Sequence, residues 1–406
     1  VEVRVLSPAL VRSRSGAGRF WVSVSSFSLP AGAGVWWMPF DQVDPRAITV
    51  WPLAQRYSFI NIADAAIDPS APAPPAGPLT PTLEQLAHWM RRARDKGASV
   101  TVAYGAHLIK NGAGPLLNAL IRAGYITHLA TQGAGVIHDW EFAFLGKSSE
   151  LVRENTADGT FGTWDETGRW INLAVLVGAA GGIGFGEAIG RLIVDEALTL
   201  PDPDALARRI ADEPAHALTG ARADLLHVMT SFNLAPGRVE VPHPFKQYSV
   251  TGAACEHGAA LVVRPGIGYD IFTDHPMFHG GALGRAAGTD ARIFAHGVTG
   301  LDDGVFLSIG SAIMSPQVFE KALSLANNLR RSRREPYLSR HAIAIVDLQD
   351  GGDWDWSTGE PPKDHPAYYL RFCKTFYRMG GELDYLQGDN RVVLANLVKL
   401  LGADTA

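Results

Sequence analysis

Five short apolar runs, "ASVTVAYGAHLI", "ITHLATQGAG", "AALVVRPGIGYDI", "GVFLSIGSA" and "HAIAIVDL", punctuate the chain between residues 98 and 348. Each is continuous rather than alternating, so a strand made from it is apolar on both faces and needs cover on both. Between them lie "GPLLNALIRAG", "DWEFAFLG", "SVTGAACEHG" and "PQVFEKALSLANNL", which read as helices with an apolar stripe. Buried strands alternating with amphipathic helices specify an α/β protein with a doubly wound, mostly parallel sheet of Rossmann type.

Around that core the chain divides into three parts. Residues 1–67 read as β-rich, with "FWVSVSSFSL", "GVWWMPF" and "YSFINIADAAI" as short strands. Residues 68–82, "DPSAPAPPAGPLTPT", hold six prolines, a density that neither a helix nor a central strand tolerates, and form an extended connection. Residues 83–406 form the α/β domain with C-terminal helices. Its first helix is expected to start at Thr82 as cap, with Gln85 in capping-box position and Leu83, Leu86, Met90 and Ala93 on one face. Tyr368 to Leu401 reads as mostly helical.

Of 406 residues, 47% are hydrophobic and 19% charged, and the formal charge is −5. That balance gives no electrostatic case for nucleic acid. The one basic run, "NLRRSRREP", closes an expected helix and complements its negative end, with a phosphate contact as the other reading. Cys255 and Cys373 are far apart and support neither a disulfide framework nor a cysteine zinc site. No apolar stretch is long enough to span a bilayer, and "VEVRVLSPALVRSRSGAGRF" lacks the apolar core of a signal peptide, so a cytoplasmic protein without membrane contact is expected.

In an open parallel sheet, ligands lie beyond the carboxyl ends of the strands, where the strand order reverses. Polar residues and glycines collect there. His107, Lys110 and Asn111 follow the first strand, and Thr131, Gly133, Gly135 and His138 the second. Asp270, Asp274 and His275 follow the third, Gly310 and Ser311 the fourth, and Asp347 the fifth. Thr131, Gly133, Gly135, Gly310, Ser311 and Asp347 are expected to line a cofactor, since glycines let phosphates approach the backbone. His138 and Asp139 read as the start of a helix. The expected acid/base is His138, assisted by Asp139 and Lys110, while His107, Asn111, Glu141, Asp270, Asp274 and His275 hold a small substrate. Asp270, Asp274, His275 and His279 also suggest a metal-dependent hydrolase, although Pro276 breaks the helical spacing of the two histidines, so no metal is assigned.

"LAVLVGAAGGIGFGEAIGRLI" looks like a dinucleotide-binding turn. Several strand–helix units precede it, the chain has no Tyr-x-x-x-Lys, and Gly178, Gly182, Gly186 and Gly190 recur every four residues. That period favours a packing helix with a glycine face.

The segment "GAHLIKNGAGPLLNALIRAGYITHLATQGAGVIHDWEFAFLG", with "LSIGSAIMSPQVFEKAL" and "HAIAIVDLQDGGDWDW", resembles the deoxyhypusine synthase family over roughly residues 97–355. The His-Asp-x-Glu of "HDWE" is also similar to that of the ornithine cyclodeaminases related to lysine-ketoglutarate reductase/saccharopine dehydrogenase proteins. Both resemblances imply a tightly held NAD that takes a hydride from a carbon bearing nitrogen, and a homodimer or tetramer. The chain departs from the synthases in having His138 where they carry an acid. Lys363, in "STGEPPKDHPAYY", lacks the surroundings of their imine-forming lysine. Deoxyhypusine synthesis is therefore not expected. The expected activity is NAD-dependent oxidation of a small polar amine, amino acid or hydroxylated substrate; a non-catalytic nucleotide-binding protein is the other reading of the same fold.

Overall fold

The computed structural model describes residues 40–352 and 354–405. Val1–Asp44 and Pro45–Ala406 are separate units, and the sheet and its helices belong to the second. The first two expected strands fall on residues 20–40, of which only Phe40 is described.

Six parallel strands form the central sheet: β1 (Val100–Tyr104), β2 (His128–Gln132), β3 (Ala260–Arg264), β4 (Val305–Ile309), β5 (Ala342–Asp347) and β6 (Glu382–Gln387). They are ordered β3-β2-β1-β4-β5-β6, with Tyr104 beside Ile309 and Gln132 beside Arg264. This is the doubly wound Rossmann order, and it reverses between β1 and β4. β6 lies in the segment expected to be helical. Its pattern, "ELDYLQ", belongs to an edge strand that leaves only Leu386 fully buried, so it lacks the apolar continuity that marks the other five.

Helices cover both faces because alternate residues of each strand point to opposite sides. On one face Val100, Val102 and Tyr104 pack under α1 (Thr80–Lys96), α3 (Gly114–Arg122) and α11 (Asn390–Leu400). Here α2 (Ala106–Lys110) names the short helix between β1 and α3. On the other face Ala103, Ala130, Phe306 and Ile343 pack under α8 (Gly280–Thr299), α9 (Met314–Arg333) and α10 (Arg371–Tyr377). Phe306 stacks on Phe319 with ring centres 4.1 Å apart. α1 buries Leu83, Leu86, Met90 and Ala93 as expected but begins at Thr80, with no side-chain cap from Thr82. Pro81 suits a first turn, where its missing N–H costs nothing.

Two expectations shift near the site. "YSFINIADAAI" supplies only a two-residue strand, Ile60–Asn61, paired antiparallel with Lys147–Ser148. The helix after β2, α4 (Gly133–Leu145), begins immediately after the strand, so His138 and Asp139 sit in its middle rather than at its start.

The glycine-rich segment is two helices, α5 (Asp165–Gly181) and α6 (Phe185–Asp195), bent by 114°. Gly182 makes the turn at φ +82°, which a side chain would strain, so it is not part of a continuous glycine face. The other three glycines do allow close packing. A Cβ on Gly186 would fall 1.9 Å from the Leu261 carbonyl oxygen, and one on Gly178 would fall 2.6 Å from the Ala188 Cβ. Gly190 lies equally close to Cys255. Among the described residues, no single helix is long and apolar enough to cross a membrane.

Candidate functional site

A crevice of about 290 Å³ opens at the carboxyl ends of β1, β4, β5 and β6. It is lined by His107, Leu108 and Asn111 of the β1–α2 segment, Gly310 after β4, Val346 to Leu348 after β5, and Gly388 to Arg391 after β6. Gly105 and Gly310 bring the two central strand ends together. A Cβ on Gly105 would lie 2.2 Å from the Gly310 carbonyl oxygen, and the Gly105 N–H donates to the Ile309 carbonyl at 3.0 Å. Gly310 itself has φ +55° and open space where a side chain would be. Across the crevice Asp389 caps α11, accepting from the Arg391 N–H at 2.9 Å and pairing with the Arg391 guanidinium, which holds its carboxyl below the usual range. The Asn111 amide donates to the Asn390 Oδ1 at 2.7 Å.

Four of the residues expected from sequence therefore meet here: His107, Asn111, Gly310 and Asp347. Gly388, Asp389, Asn390 and Arg391 fall outside that expectation, because the pattern of the strand that delivers them suggests helix. A signal is present as "QGDNR", a glycine and two capping residues opening an apolar helix.

The N-terminus of α4, expected to receive cofactor phosphate, is filled from within the chain. Asp270 sits 2% exposed against Gly133, where a Cβ would fall 2.0 Å from its Oδ2. The Asp270 carboxylate accepts from the Gly266 N–H at 2.7 Å and is hydrogen-bonded by the Ala134 N–H; burial nonetheless raises its pKa to about 6. Gly135 is pressed against Thr131, whose hydroxyl donates to the Tyr104 carbonyl at 3.0 Å. Thr131 and Gly135, like Asp270 and Gly133, thus contact each other, and the anion at this helix end is the protein's own. The glycine-rich turn before α6 is filled in the same way. Buried Asp290 accepts from the Val263 N–H at 2.7 Å and the Gly186 N–H at 3.2 Å, and burial raises its carboxyl to about 7.

A second polar cluster centres on α4, which packs against α2. Glu141 is 1% exposed and accepts a two-pronged bond from Arg56, both contacts at 2.7 Å. It also accepts from the Thr167 hydroxyl at 2.9 Å and the Ser148 hydroxyl at 2.5 Å. Burial opposes its charge, but Arg56 and these donors hold its pKa below the usual range. Ser148 Oγ in turn lies 2.7 Å from His138 Nδ1. Burial pushes His138 down to about 4, with Glu141 opposing and Lys110 and Arg56 adding to the shift. The imidazole is therefore neutral at physiological pH, next to a Lys110 that has no ion pair among the described residues.

The remaining expected residues are engaged elsewhere. Asp139 accepts from Ser249 Oγ at 2.6 Å and from the Val250 and Thr251 N–H groups at 2.8 and 3.0 Å, capping α7 (Val250–Glu256). His275 is buried, with Nε2 3.3 Å from Asp165 and Nδ1 accepting from the Met277 N–H. Asp274 is exposed, and His279 caps α8. Ser311 Oγ accepts from the Ser315 N–H at 3.3 Å. Asp270, Asp274, His275 and His279 do not converge, and no group of three or more His, Cys, Asp or Glu is placed to hold a metal ion among the described residues. The geometry gives the hydrolase reading no site.

Residues 84–179 match the family model for the arginine dihydrolase ArgZ-like, C-terminal, Rossmann fold domain. Over 66 residues the chain is 39% identical to the bifunctional arginine dihydrolase/ornithine cyclodeaminase AgrE of a Nostoc species, covering 16% of this chain and 9% of that protein. A match of the same length and coverage, at 38% identity, is found with ArgZ of a Synechocystis species. The chain therefore matches less than a tenth of the length of these curated relatives. Among solved structures, a conserved putative LOR/SDH protein from Methanococcus maripaludis S2 aligns over 81% of this chain and 70% of its own, at 14% identity and a TM-score of 0.39. The ternary complex of AgrE with ornithine and NAD+ aligns over 79% of this chain and 32% of its own, at 15% identity and a TM-score of 0.39. The similarity to the ornithine cyclodeaminases is the one these matches support.

Proposed function

We propose that the chain is an NAD-dependent enzyme that oxidises a small amino acid at a carbon bearing nitrogen. The observation that carries this reading is the crevice at the β1–β4 reversal point, in a sheet whose first two strands fall within the match to a Rossmann domain of arginine dihydrolase/ornithine cyclodeaminase relatives. AgrE, matched in sequence, has been solved with ornithine and NAD+, and we take that pair as the substrate class and cofactor.

The lining suits the nucleoside end of such a cofactor. Gly310 presents bare backbone, α11 points its N-terminus inward, and Asp347 and Asp389 offer carboxylates to ribose hydroxyls. NAD, when bound, supplies the hydride acceptor. The protein's own groups do the rest. Lys110, with no acidic partner among the described residues, holds the substrate carboxylate. The Nε2 of neutral His138 accepts the proton that leaves the substrate nitrogen and, having low affinity for it, passes it on. Asp139, Asp270 and His275 hold the scaffold.

Calorimetric titration of the purified protein with NAD+ tests this, followed by mass spectrometry of a mixture with L-ornithine. Micromolar binding is expected, weakened more than tenfold by Gly310→Leu, together with a product formed as water or the second amine of L-ornithine adds to the oxidised carbon and the original nitrogen leaves as ammonia. Absence of NAD+ binding at millimolar concentration would overturn the reading.

A further inference from the structure

We infer that Ser148 is a positioning residue that locks the His138 ring as the Nδ1–H tautomer, leaving Nε2 as a bare acceptor for the proton assigned to it above. This rests on the proposed role of His138 and adds the device that prepares it.

The protons along the relay can be placed one by one. Glu141 is ionised, since it accepts both prongs of the Arg56 guanidinium and the Thr167 hydroxyl, and it has no proton to give. Its 2.5 Å contact with Ser148 therefore needs the serine proton, and the hydroxyl donates to Glu141. Having spent its only proton, Ser148 can only accept at the 2.7 Å contact with His138 Nδ1. Nδ1 must then carry the ring's proton, which leaves Nε2 with a lone pair. No hydrogen bond is made by Nε2 to any described residue.

The direction of the whole chain of bonds is set by Arg56, which contributes from outside the α/β core sequence pattern. The order of elements explains how the parts meet. Glu141 lies three residues after His138 on α4, one turn along the same face. The tight turn after that helix, with Gly146 at φ +72°, brings Ser148 back to both side chains. The short pairing of Lys147–Ser148 with Ile60–Asn61 fixes the returning segment and carries Arg56, a few residues upstream, to the other side of Glu141. No group in this relay lines the crevice, so none of its contacts is accounted for by cofactor binding.

The test is nitrogen NMR of histidine-labelled protein, with His138→Gln used to assign the His138 signals, and it needs no turnover. In the wild-type protein at pH 7.5, Nδ1 is expected protonated and Nε2 unprotonated. In Ser148→Ala the two tautomers should mix, and Ser148→Thr, which keeps the hydroxyl, should restore the single form. Turnover of L-ornithine with NAD+ is measured alongside. Ser148→Ala should lower kcat ten- to a hundredfold while KM changes less than threefold. A wild-type spectrum showing Nε2–H, or a mixture, overturns the inference whatever the variants do, so a variant that fails to fold does not leave it open. A locked Nδ1–H form released by Ser148→Ala, with turnover unaffected by Ser148→Ala or His138→Gln, upholds the lock and overturns instead the assignment of His138 as acid/base.

Discussion

The carboxylate of Asp270 rests on the first turn of α4 so closely that Gly133 has no room for a side chain: a Cβ there would sit 2.0 Å from Oδ2. A helix N-terminus, which offers free N–H groups to an anion, is here taken by the protein's own carboxylate. Gly133→Ala must displace a buried carboxylate that is bonded to backbone N–H groups, and a loss of about 2–4 kcal/mol is expected, of the size seen when a buried polar contact is broken. Urea denaturation measures it. A variant as stable as the wild type would show that the contact is dispensable.

Asp290 gives the fold a pH dependence. Burial raises its carboxyl from 3.8 to about 7, so between those values the folded chain keeps a proton that the unfolded chain has released. The favourable contribution of the neutral acid is complete below pH 4 and is lost as the pH rises through 7. At about 1.4 kcal/mol per unit, the change amounts to a few kcal/mol. Asp290→Asn can still accept from the Val263 and Gly186 N–H groups and should be flatter over this range. The difference in unfolding free energy between the two proteins, measured from pH 4 to 8, should shift in favour of the variant; a constant difference contradicts the assignment.

The Arg56–Glu141 pair is buried on both sides, at 1% side-chain exposure each. Arg56→Met leaves Glu141 charged without its fork and should cost about 3–5 kcal/mol, whereas Arg56→Met with Glu141→Gln should recover part of that loss. Equilibrium unfolding of the two variants at pH 7 decides the matter: equal stabilities would mean that the charge left behind is not what destabilises.

The glycines before and within α6 serve packing. Gly186→Ala places a methyl 1.9 Å from the Leu261 carbonyl oxygen and should lower the melting temperature by several degrees. Because that turn is already occupied by Asp290, the affinity of the folded fraction for NAD+ should stay within a factor of about two of the wild type. A tenfold loss of affinity without loss of stability would restore the dinucleotide-turn reading.

The five apolar strands and the parallel doubly wound sheet were legible because burial on two faces forces a continuous apolar run, which β1 to β5 show. β6 escaped that logic: an edge strand with an exposed Glu382 and a half-buried Asp384 has no such run. His107, Asn111, Gly310 and Asp347 could be placed at the rim because strand ends are fixed once strands are. Whether a polar residue there faces the crevice or the interior is set by contacts distant in sequence. Asp139 caps a helix more than a hundred residues later, and Asp270 turns back onto Gly133. Ser148 was invisible for the same reason, since nothing in "GKSSEL" marks it as the partner of a histidine two helix turns and a loop away.

The crevice is finished by the loop after β6, whereas its opposite wall is made by residues that follow β1. A ribosome emits those two walls far apart in time. α11, which covers β1, follows the same loop, so one helical layer and the far wall of the crevice are completed together, and added nucleotide can meet a whole crevice only once residue 391 has been made.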